Sequence, residues 1–218
     1  MATKGTTVRR PVRSPAGAGG SPLQERKREV VRQEITRAAW PLFAARGYEQ
    51  TTVADVARAA GLSRRTFFRY FSSKEDVVVG TSDALAEDVL AAVAARPRRE
   101  PPLVAIQRAM RPILVSRLDE PEEGRAIIRL LRESRTLRRA MLERHARMEE
   151  RLAALLAERT RVDPRRDPTP ALLAFLTRAL LDTAFNVWFD QRPKDVGAMV
   201  DLLFRRLRAV VARGGAGA

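Results

Sequence analysis

The sequence predicts an all-α protein of about nine helices, because helical periodicity recurs along the chain and strand patterns are nearly missing. Apolar residues repeat at helical spacing in the first long segment, as at Val31, Ile35 and Leu42. The β-branched run 77–79 lies inside a longer helical pattern, and no two alternating segments are joined by a hairpin turn. These features favour packed helices without a sheet.

Capping residues, glycines and prolines set the expected helix boundaries. Gly47 ends the first helix, Gly61 separates two short helices, and Pro97 follows the end of a longer one. Pro41 and Pro112 lie inside predicted helices and are expected to bend them. The predicted helices are 23–46, 52–60, 63–71, 74–95, 101–117, 120–133, 135–159, 169–191 and 194–213, with a loop at 163–168.

Composition excludes several classes of protein. Hydrophobic residues make up 45% and charged residues 31% of the 218 residues, which is typical of a globular chain. Cysteine is absent and His145 is the single histidine, so neither a disulfide framework nor a metal site is expected. No apolar run approaches the roughly 18 residues of a membrane span. Residues 1–22 read as a flexible basic tail rather than a secretory signal, so we expect a cytoplasmic protein without membrane association.

The net charge of +15 favours a polyanionic partner, and nucleic acid comes first. Residues 1–80 carry 15 lysines and arginines against 7 acidic residues, whereas 81–218 carry 26 against 19. Because the positive charge is denser in the first segment, we expect the polyanion-binding face there.

The segment 51–76 predicts a helix-turn-helix. Thr51 or Thr52 can cap the first helix, and Gly61 supplies the tight turn that lets two helices cross steeply. Ser63 can cap the second helix, whose Phe67 and Phe71 lie four residues apart on one face. The other faces of this helix are then left for contact with DNA.

The exposed faces of the second helix carry side chains suited to a major groove. Arg64 and Arg65 can pair bidentately with guanine, while Thr66 can reach a phosphate or a thymine methyl. Tyr70 and Lys74 can reach phosphates. A basic helix after a glycine turn also occurs in proteins that do not bind DNA, so the spacing alone leaves both readings open.

A long ordered pattern resembles the DNA-binding domain of the TetR family of bacterial regulators. It runs through LFAARGY at 42–48, TTVADVA at 51–57, AGLS at 60–63, TFFRYF at 66–71 and SKED at 73–76. The resemblance implies a three-helix DNA-binding domain, followed by a helical domain that dimerises and binds a small molecule. It covers about a fifth of the chain, and residues 81–218 show no such signature.

The resemblance assigns base or phosphate contacts to matching positions. Phe68 stands where relatives often have a phosphate-binding tyrosine, so we expect it to pack instead. Pro41 in the first helix is expected to alter the orientation of the DNA-binding domain. The predicted DNA-contact residues are Thr52, Ser63, Arg64, Arg65, Thr66, Arg69, Tyr70 and Lys74.

The C-terminal helices are expected to serve two purposes. Helices 169–191 and 194–213 match those that the family packs against a second copy, so a homodimer is expected. An apolar or amphipathic effector would be oriented by polar groups such as Arg132, Glu133 or Asn186. Phe185 and Trp188 belong to the core and dimer seam or, alternatively, to the pocket. The full set of pocket candidates is Met110, Leu114, Leu131, Met141, His145, Met148, Phe185 and Trp188.

The predicted domains are the tail 1–22, a DNA-binding domain at 23–73, a ligand-binding and dimerisation domain at 74–213, and a short tail at 214–218. The predicted function is that of a sequence-specific repressor of a palindromic operator, released when an effector pivots the helix 74–95. An activator with the same DNA-binding domain and a non-specific architectural DNA-binding protein are the alternatives. No catalytic constellation or cofactor motif indicates an enzyme.

Overall fold

A computed structural model describes residues 21–118 and 121–215, and the predicted all-helical fold is confirmed there. This part of the chain forms nine helices and no strand. They are α1 (Pro22–Arg46), α2 (Val53–Ala59), α3 (Arg64–Phe67), α4 (Lys74–Ala95), α5 (Pro102–Leu118), α6 (Pro121–Glu133), α7 (Arg135–Thr160), α8 (Thr169–Gln191) and α9 (Val196–Gly215). The predicted basic tail lies outside the described residues, apart from Ser21 and Pro22 at the start of α1.

Hydroxyl side chains begin most of the helices that position the DNA-binding surface. Thr52 accepts the amide of Asp55 at 3.2 Å, while the Asp55 carboxylate accepts the amide of Thr52 at 3.0 Å. Ser63, Ser73 and Ser134 cap α3, α4 and α7 in the same way, through the amide three residues on. Each cap satisfies one donor that the first helical turn leaves free.

The second helix of the helix-turn-helix is shorter than predicted, because α3 ends at residue 67 and the span 68–70 is a turn. Its backbone tightens there, as the amide of Arg69 reaches the carbonyl of Thr66 at 3.1 Å. The carbonyl of Tyr70 accepts a hydrogen bond from Arg32 of α1. A side chain from α1 thus satisfies a carbonyl that a continuing helix would have used.

Pro41 and Pro112 lie inside α1 and α5 without interrupting either helix. Both prolines are exposed, so the carbonyls that lose a helical partner are on the solvent side, where water can bind them. Both helices therefore continue through the positions where the sequence predicts a bend.

Two hydrophobic clusters organise the molecule. One unites α1, α2, α3 and the first turns of α4, with Phe43, Phe67 and Val56 fully or almost fully buried. It also includes Leu130 of α6 and Leu137 of α7. We call α1–α3 the head, α4–α9 the body, and residues 130–141 the corner between α6 and α7. The core of the head therefore extends into the corner.

The second cluster lies in the body, where α8 packs against α5, α6, α7 and α9. Trp188, Ala184 and Leu181 of α8 are buried there. Contrary to the expectation from the sequence, α8 is long and apolar enough to cross a membrane by length and composition. One face of α8 packs into the body cluster, and Arg178 and Asp182 form an ion pair within the helix.

We predict losses of stability of very different size for the two neighbouring phenylalanines of the α3 region. Phe67→Ala opens a cavity in the fully buried head core and should lower the free energy of unfolding by about 3–5 kcal/mol. Phe68→Ala removes a half-exposed ring and should cost less than about 1 kcal/mol. Chemical denaturation followed by circular dichroism measures both. Equal losses would contradict this assignment of burial.

Candidate DNA-binding surface and effector cavity

The α2–α3 unit has the geometry of a helix-turn-helix. Gly61 has a positive φ of 68°, which a residue without Cβ adopts at little cost. Leu62 then donates its amide to the carbonyl of Ala57 at 2.8 Å, which closes the turn. Phe67 and Phe71 contact each other with ring centroids 5.7 Å apart and hold α3 against the head core. The outer face of α3 is consequently fixed in direction.

The outer face of α3 is basic. Arg64, Arg65 and Arg69 are exposed, and none of them forms an ion pair within the described part of the chain. Thr66 is half-buried, and its hydroxyl lies 2.8 Å from that of Ser63, the N-cap. Tyr70 is half-buried beside the Arg69 guanidinium, which lies 5.9 Å from its ring centroid. Three unpaired cations on one small surface are well suited to a polyanion.

Lys74 is held inside the protein more firmly than the prediction of a phosphate contact implies. Its ammonium donates to the carbonyls of Tyr48 and Thr51 at 2.7 and 2.8 Å. It also lies 4.1 Å from the centre of the Tyr48 ring. Burial lowers the pKa of Lys74, and burial together with the hydrogen bond to Glu75 raises the pKa of Tyr48. The residue fastens the start of α4 to the loop between α1 and α2.

Phe68, which is expected from the sequence to pack, does so only in part. Its side chain is 50% exposed and contacts only the edge of the Phe67 ring among the aromatic side chains described. The reason is the helical geometry of α3. Residue 67 points into the head core, and residue 68 is rotated by about 100° around the helix axis. Phe68 thus lies on the same outward side as the arginines.

A surface groove of about 870 Å³ runs between α1 and the end of α3. Its rim includes Arg26, Lys27 and Arg28 from α1 together with Arg69 and Tyr70. The Arg28 guanidinium donates to the carbonyl of Arg69 at 3.4 Å and so joins the two segments. The basic surface of α3 therefore continues onto the first turns of α1, a contribution that the sequence analysis did not single out.

A cavity of about 1000 Å³ lies in the body between α4, α5, α6, α7 and α8. Its volume suits a small-molecule ligand. The lining is apolar for the most part, with polar groups at several points. It comprises Ser82, Leu85, Asp88, Ser116, Arg117, Gly124, Ile127, Ile128, Leu131, Arg132, Arg138, Met141, Leu142, His145, Met148, Leu181, Asp182, Phe185 and Asn186.

Five predicted pocket residues line this cavity and three do not. Those in the lining are Leu131, Met141, His145, Met148 and Phe185. Met110, Leu114 and Trp188 are instead buried in the body core. Trp188 packs against the backbone of α6 at Gly124 and beneath the guanidinium of Arg125, which lies 4.5 Å from its ring.

The cavity residues that the prediction omitted come from all five helices, and α4 and α6 supply half of them. Ile127 and Ile128 belong to the same apolar side of α6 as Leu131, with helical spacing that the sequence already displays. Leu85 and Ser82 of α4 have no such signal, because their place depends on how α4 crosses α7.

Charged groups in the cavity wall are largely paired, with partners inside the wall or just outside it. Arg132 bonds Asp190 at 2.7 Å and the side-chain oxygen of Asn186 at 2.9 Å. His145 lies 3.9 Å from Asp182, which also accepts a hydrogen bond from Arg178. Burial lowers the pKa of His145, partly offset by Asp182, so the imidazole is neutral at neutral pH. The wall therefore offers hydrogen-bonding groups rather than a uniformly positive or negative electrostatic potential.

The cavity and the head share part of their walls. Ile127, Leu131 and Met141 line the cavity and also pack against the head core. Beside them, the buried Ser134 donates its hydroxyl to Glu49, in the loop between α1 and α2, at 2.6 Å. These contacts join segments some 85 positions apart, which no local pattern in the sequence indicates.

A second link between head and body runs through α4. Arg144 of α7 pairs with Asp76 in the first turn of α4 and, at 3.1 Å, with Asp83 one to two turns further along. His145, the next residue, faces the cavity. The neighbouring positions on α7 thus contact α4 and the cavity.

A helix-turn-helix with a basic outer face, joined to a helical body that contains a ligand-sized cavity, defines a DNA-binding transcription regulator. Two family models match the chain. Residues 35–80 match the model described as bacterial regulatory proteins of the tetR family, and residues 100–212 match that of the MftR C-terminal domain. The second match alone spans more than half of the chain.

The chain belongs to the TetR family, and its relatives are transcription regulators rather than enzymes. It is 35% identical over 192 residues to the HTH-type transcriptional regulator TcmR of Streptomyces glaucescens, covering 85% of this chain and 84% of TcmR. It is 46% identical over 55 residues to the putative mycofactocin biosynthesis transcriptional regulator MftR of Mycobacterium tuberculosis, which is 25% of this chain and 28% of MftR.

Solved structures share the fold. The structure of NalD, the secondary repressor of the MexAB-OprM multidrug efflux pump in Pseudomonas aeruginosa, matches with a TM-score of 0.58 at 22% identity, covering 84% of this chain and 96% of NalD. The SmeT–triclosan complex matches with a TM-score of 0.58 at 17% identity, covering 83% of this chain and 91% of SmeT. At these identities the likeness establishes the fold alone.

Proposed function

We propose that the protein is a homodimeric repressor that binds a palindromic operator through α3 and releases it when a small amphipathic ligand enters the body cavity. One observation carries this proposal: Ile127, Leu131 and Met141 line the cavity and at the same time pack against the core of the DNA-binding head. A ligand that moves these side chains changes the support of α3.

DNA binding is assigned to the outer face of α3 and the adjoining end of α1. Arg64 and Arg65 at the start of α3 are free to read bases, since neither has an acidic partner among the described residues. Arg69, with Arg26 to Arg28 across the groove, is placed to contact phosphates. Thr52 and Ser63 act chiefly as helix caps. Lys74 chiefly holds the start of α4 against the loop between α1 and α2.

Dimerisation is assigned to α8 and α9. Leu172 and Phe175 of α8 are 59% and 56% exposed, and they lie one turn apart on the same face. Leu202 of α9 is 44% exposed and Val210 is 68% exposed. Exposed large apolar side chains clustered on two adjacent helices are typical of a protein interface. A second copy, related by a twofold axis, would cover these side chains, and α8 and α9 of both copies would form a four-helix bundle.

The lining of the cavity favours a ligand with an apolar body and at least one hydrogen-bonding group. Leu85, Ile128 and Phe185 would contact the apolar part. Asn186 and the neutral imidazole of His145 would orient the polar part. The SmeT complex holds triclosan, an aromatic molecule of this general kind, and triclosan is a reasonable first probe for this chain.

Release requires the ligand to prefer a conformation in which the two heads no longer fit the operator. Ligand-driven displacement of α6 and α7 would reach the head through the Ser134–Glu49 hydrogen bond and the apolar side chains of the corner. It would reach α4 through Arg144 and Asp76. The predicted pivot of α4 therefore operates together with a direct contact between the corner and the head.

The DNA assignment predicts that Arg64→Ala and Arg65→Ala each weaken operator binding by about tenfold to a hundredfold, through loss of a bidentate base contact. The operator is first selected from random DNA by the full chain at near-physiological salt, and affinity is measured by fluorescence anisotropy. Arg165→Ala is the matched control, because Arg165 is an exposed arginine in the loop after the far end of α7.

The selection also separates the alternatives. A specific dimer should enrich a palindrome with half-sites about 34–36 Å apart, or a multiple of that distance. An architectural protein would enrich no sequence, and its affinity for DNA would fall steeply with salt concentration whatever the sequence of the DNA. Transcription from a promoter carrying the palindrome distinguishes a repressor from an activator.

The dimer assignment predicts that Phe175→Glu converts the dimer to a monomer, because a carboxylate is costly to desolvate in an apolar interface. The neighbouring Arg178 would not compensate, since it is already paired with Glu149 and Asp182. Light scattering after size exclusion at low-micromolar protein measures the mass. Leu23→Glu is the matched control, since Leu23 is 62% exposed on the head and should leave the mass unchanged. A dimeric Phe175→Glu protein would contradict the interface.

The effector assignment predicts that Ser116→Trp blocks ligand entry by filling the cavity from its α5 wall, where Ser116 is exposed. Ligands are found by displacement of 1-anilinonaphthalene-8-sulfonate, with triclosan among the compounds tested. A bound ligand should weaken operator binding by wild type by about fivefold or more and should leave that of Ser116→Trp unchanged. Ala146→Trp, on the exposed side of α7, should respond as wild type does.

A further inference from the structure

Phe68 is an exposed aromatic residue surrounded by cations. Half of its side chain is exposed, and it lies four residues after Arg64 and three after Arg65, so the three side chains share one face of α3. The next residue, Arg69, is exposed as well. An apolar ring with this surrounding charge is better suited to a polyanion that also offers apolar groups than to a hydrophobic protein partner.

The ring is also held in place. Phe68 packs edge-on against Phe67 with centroids 5.5 Å apart and an interplanar angle of 90°. Phe67 itself is fully buried and packs against Phe71. The amide of Phe68 donates to the carbonyl of Arg64 at 3.1 Å, which fixes its backbone on the last turn of α3. The exposed edge is therefore presented at a constant position beside the two arginines.

Duplex DNA offers one apolar group in the major groove, the C5 methyl of thymine. A phenylalanine lacks the hydroxyl that would bind a phosphate, but its ring can cover such a methyl. We infer that Phe68 selects thymine at a fixed position of each half-site by packing against this methyl, next to the bases contacted by Arg64 and Arg65. This inference rests on the proposed sequence-specific binding of DNA.

The test uses the full chain and the operator selected as above. Each thymine of a half-site is replaced in turn by deoxyuridine, which removes the methyl group and keeps the hydrogen-bonding pattern. Affinities are measured for wild type, Phe68→Ala and Phe68→Leu, and thermal unfolding verifies that the variants are folded. Wild type should lose about threefold to fivefold in affinity at one thymine position, which is the effect of burying one methyl group.

The decisive quantity is the coupling between the side chain and the methyl. At the sensitive position, Phe68→Ala should bind thymine and deoxyuridine operators equally well, whereas Phe68→Leu should keep part of the preference because leucine is still apolar. Arg165→Ala should keep all of it. Selection repeated with Phe68→Ala should enrich the same palindrome with that one position degenerate.

Three results would overturn the inference. If the methyl effect were equal in wild type and Phe68→Ala at every position, another group or the shape of the DNA would read the methyl. If Phe68→Ala weakened all operators alike, the ring would contact the sugar-phosphate backbone. If selection enriched no sequence at all, the proposed function would fail together with this inference. The first two results overturn only the inference and leave the proposed function intact.

Discussion

The structure depends on the insertion of Leu130 and Leu137 into the core of the DNA-binding head. Both side chains are buried with Phe43, Phe67 and Val56, although they come from the body of the molecule. Burial of two leucines contributes several kcal/mol, by the usual value of about 1.5–3 kcal/mol for each. The hydroxyl of Ser134 between them caps α7 and bonds Glu49, so the polar groups at this apolar junction are satisfied as well.

Charged side chains reinforce the same junction from its outer side. Arg144 pairs with Asp76 and Asp83, and Lys74 binds two carbonyls of the loop between α1 and α2. Arg144 is 11% exposed, so screening by salt reduces this contact less than that of a surface pair. Together these contacts join the DNA-binding head to the helices α4 and α7, which also form the cavity.

Much of the fold could be predicted from the sequence because its determinants are local. The Thr52 and Ser63 caps, the Gly61 turn and the Phe67–Phe71 pair all act within a few residues. The cavity was only partly predictable. The predicted pocket residues Met141 and His145 line the cavity, whereas Met110 and Trp188, also predicted for the pocket, are in the body core.

What escaped prediction depends on contacts between distant segments. Phe68 is exposed because Phe67 occupies the buried face of α3. Lys74 is held by a hydrogen bond to the Tyr48 carbonyl, whose position depends on the fold. Arg159 is a further example, since a buried guanidinium that binds the carbonyl of Arg96 at 2.8 Å looks in the sequence like any arginine of α7. Helical periodicity indicates which face is apolar but not which element covers it.

The shared core has a consequence for chimeric regulators. Exchanging DNA-binding segments between members of this family at residue 73 would separate Phe43 and Val56 from Leu130 and Leu137, which belong to the same hydrophobic cluster. A graft made at that point would bring together core residues that do not fit one another, and it would lose thermal stability. A functional hybrid needs the corner at 130–141 transplanted together with the head, so the unit of modular exchange in this architecture is discontinuous in sequence.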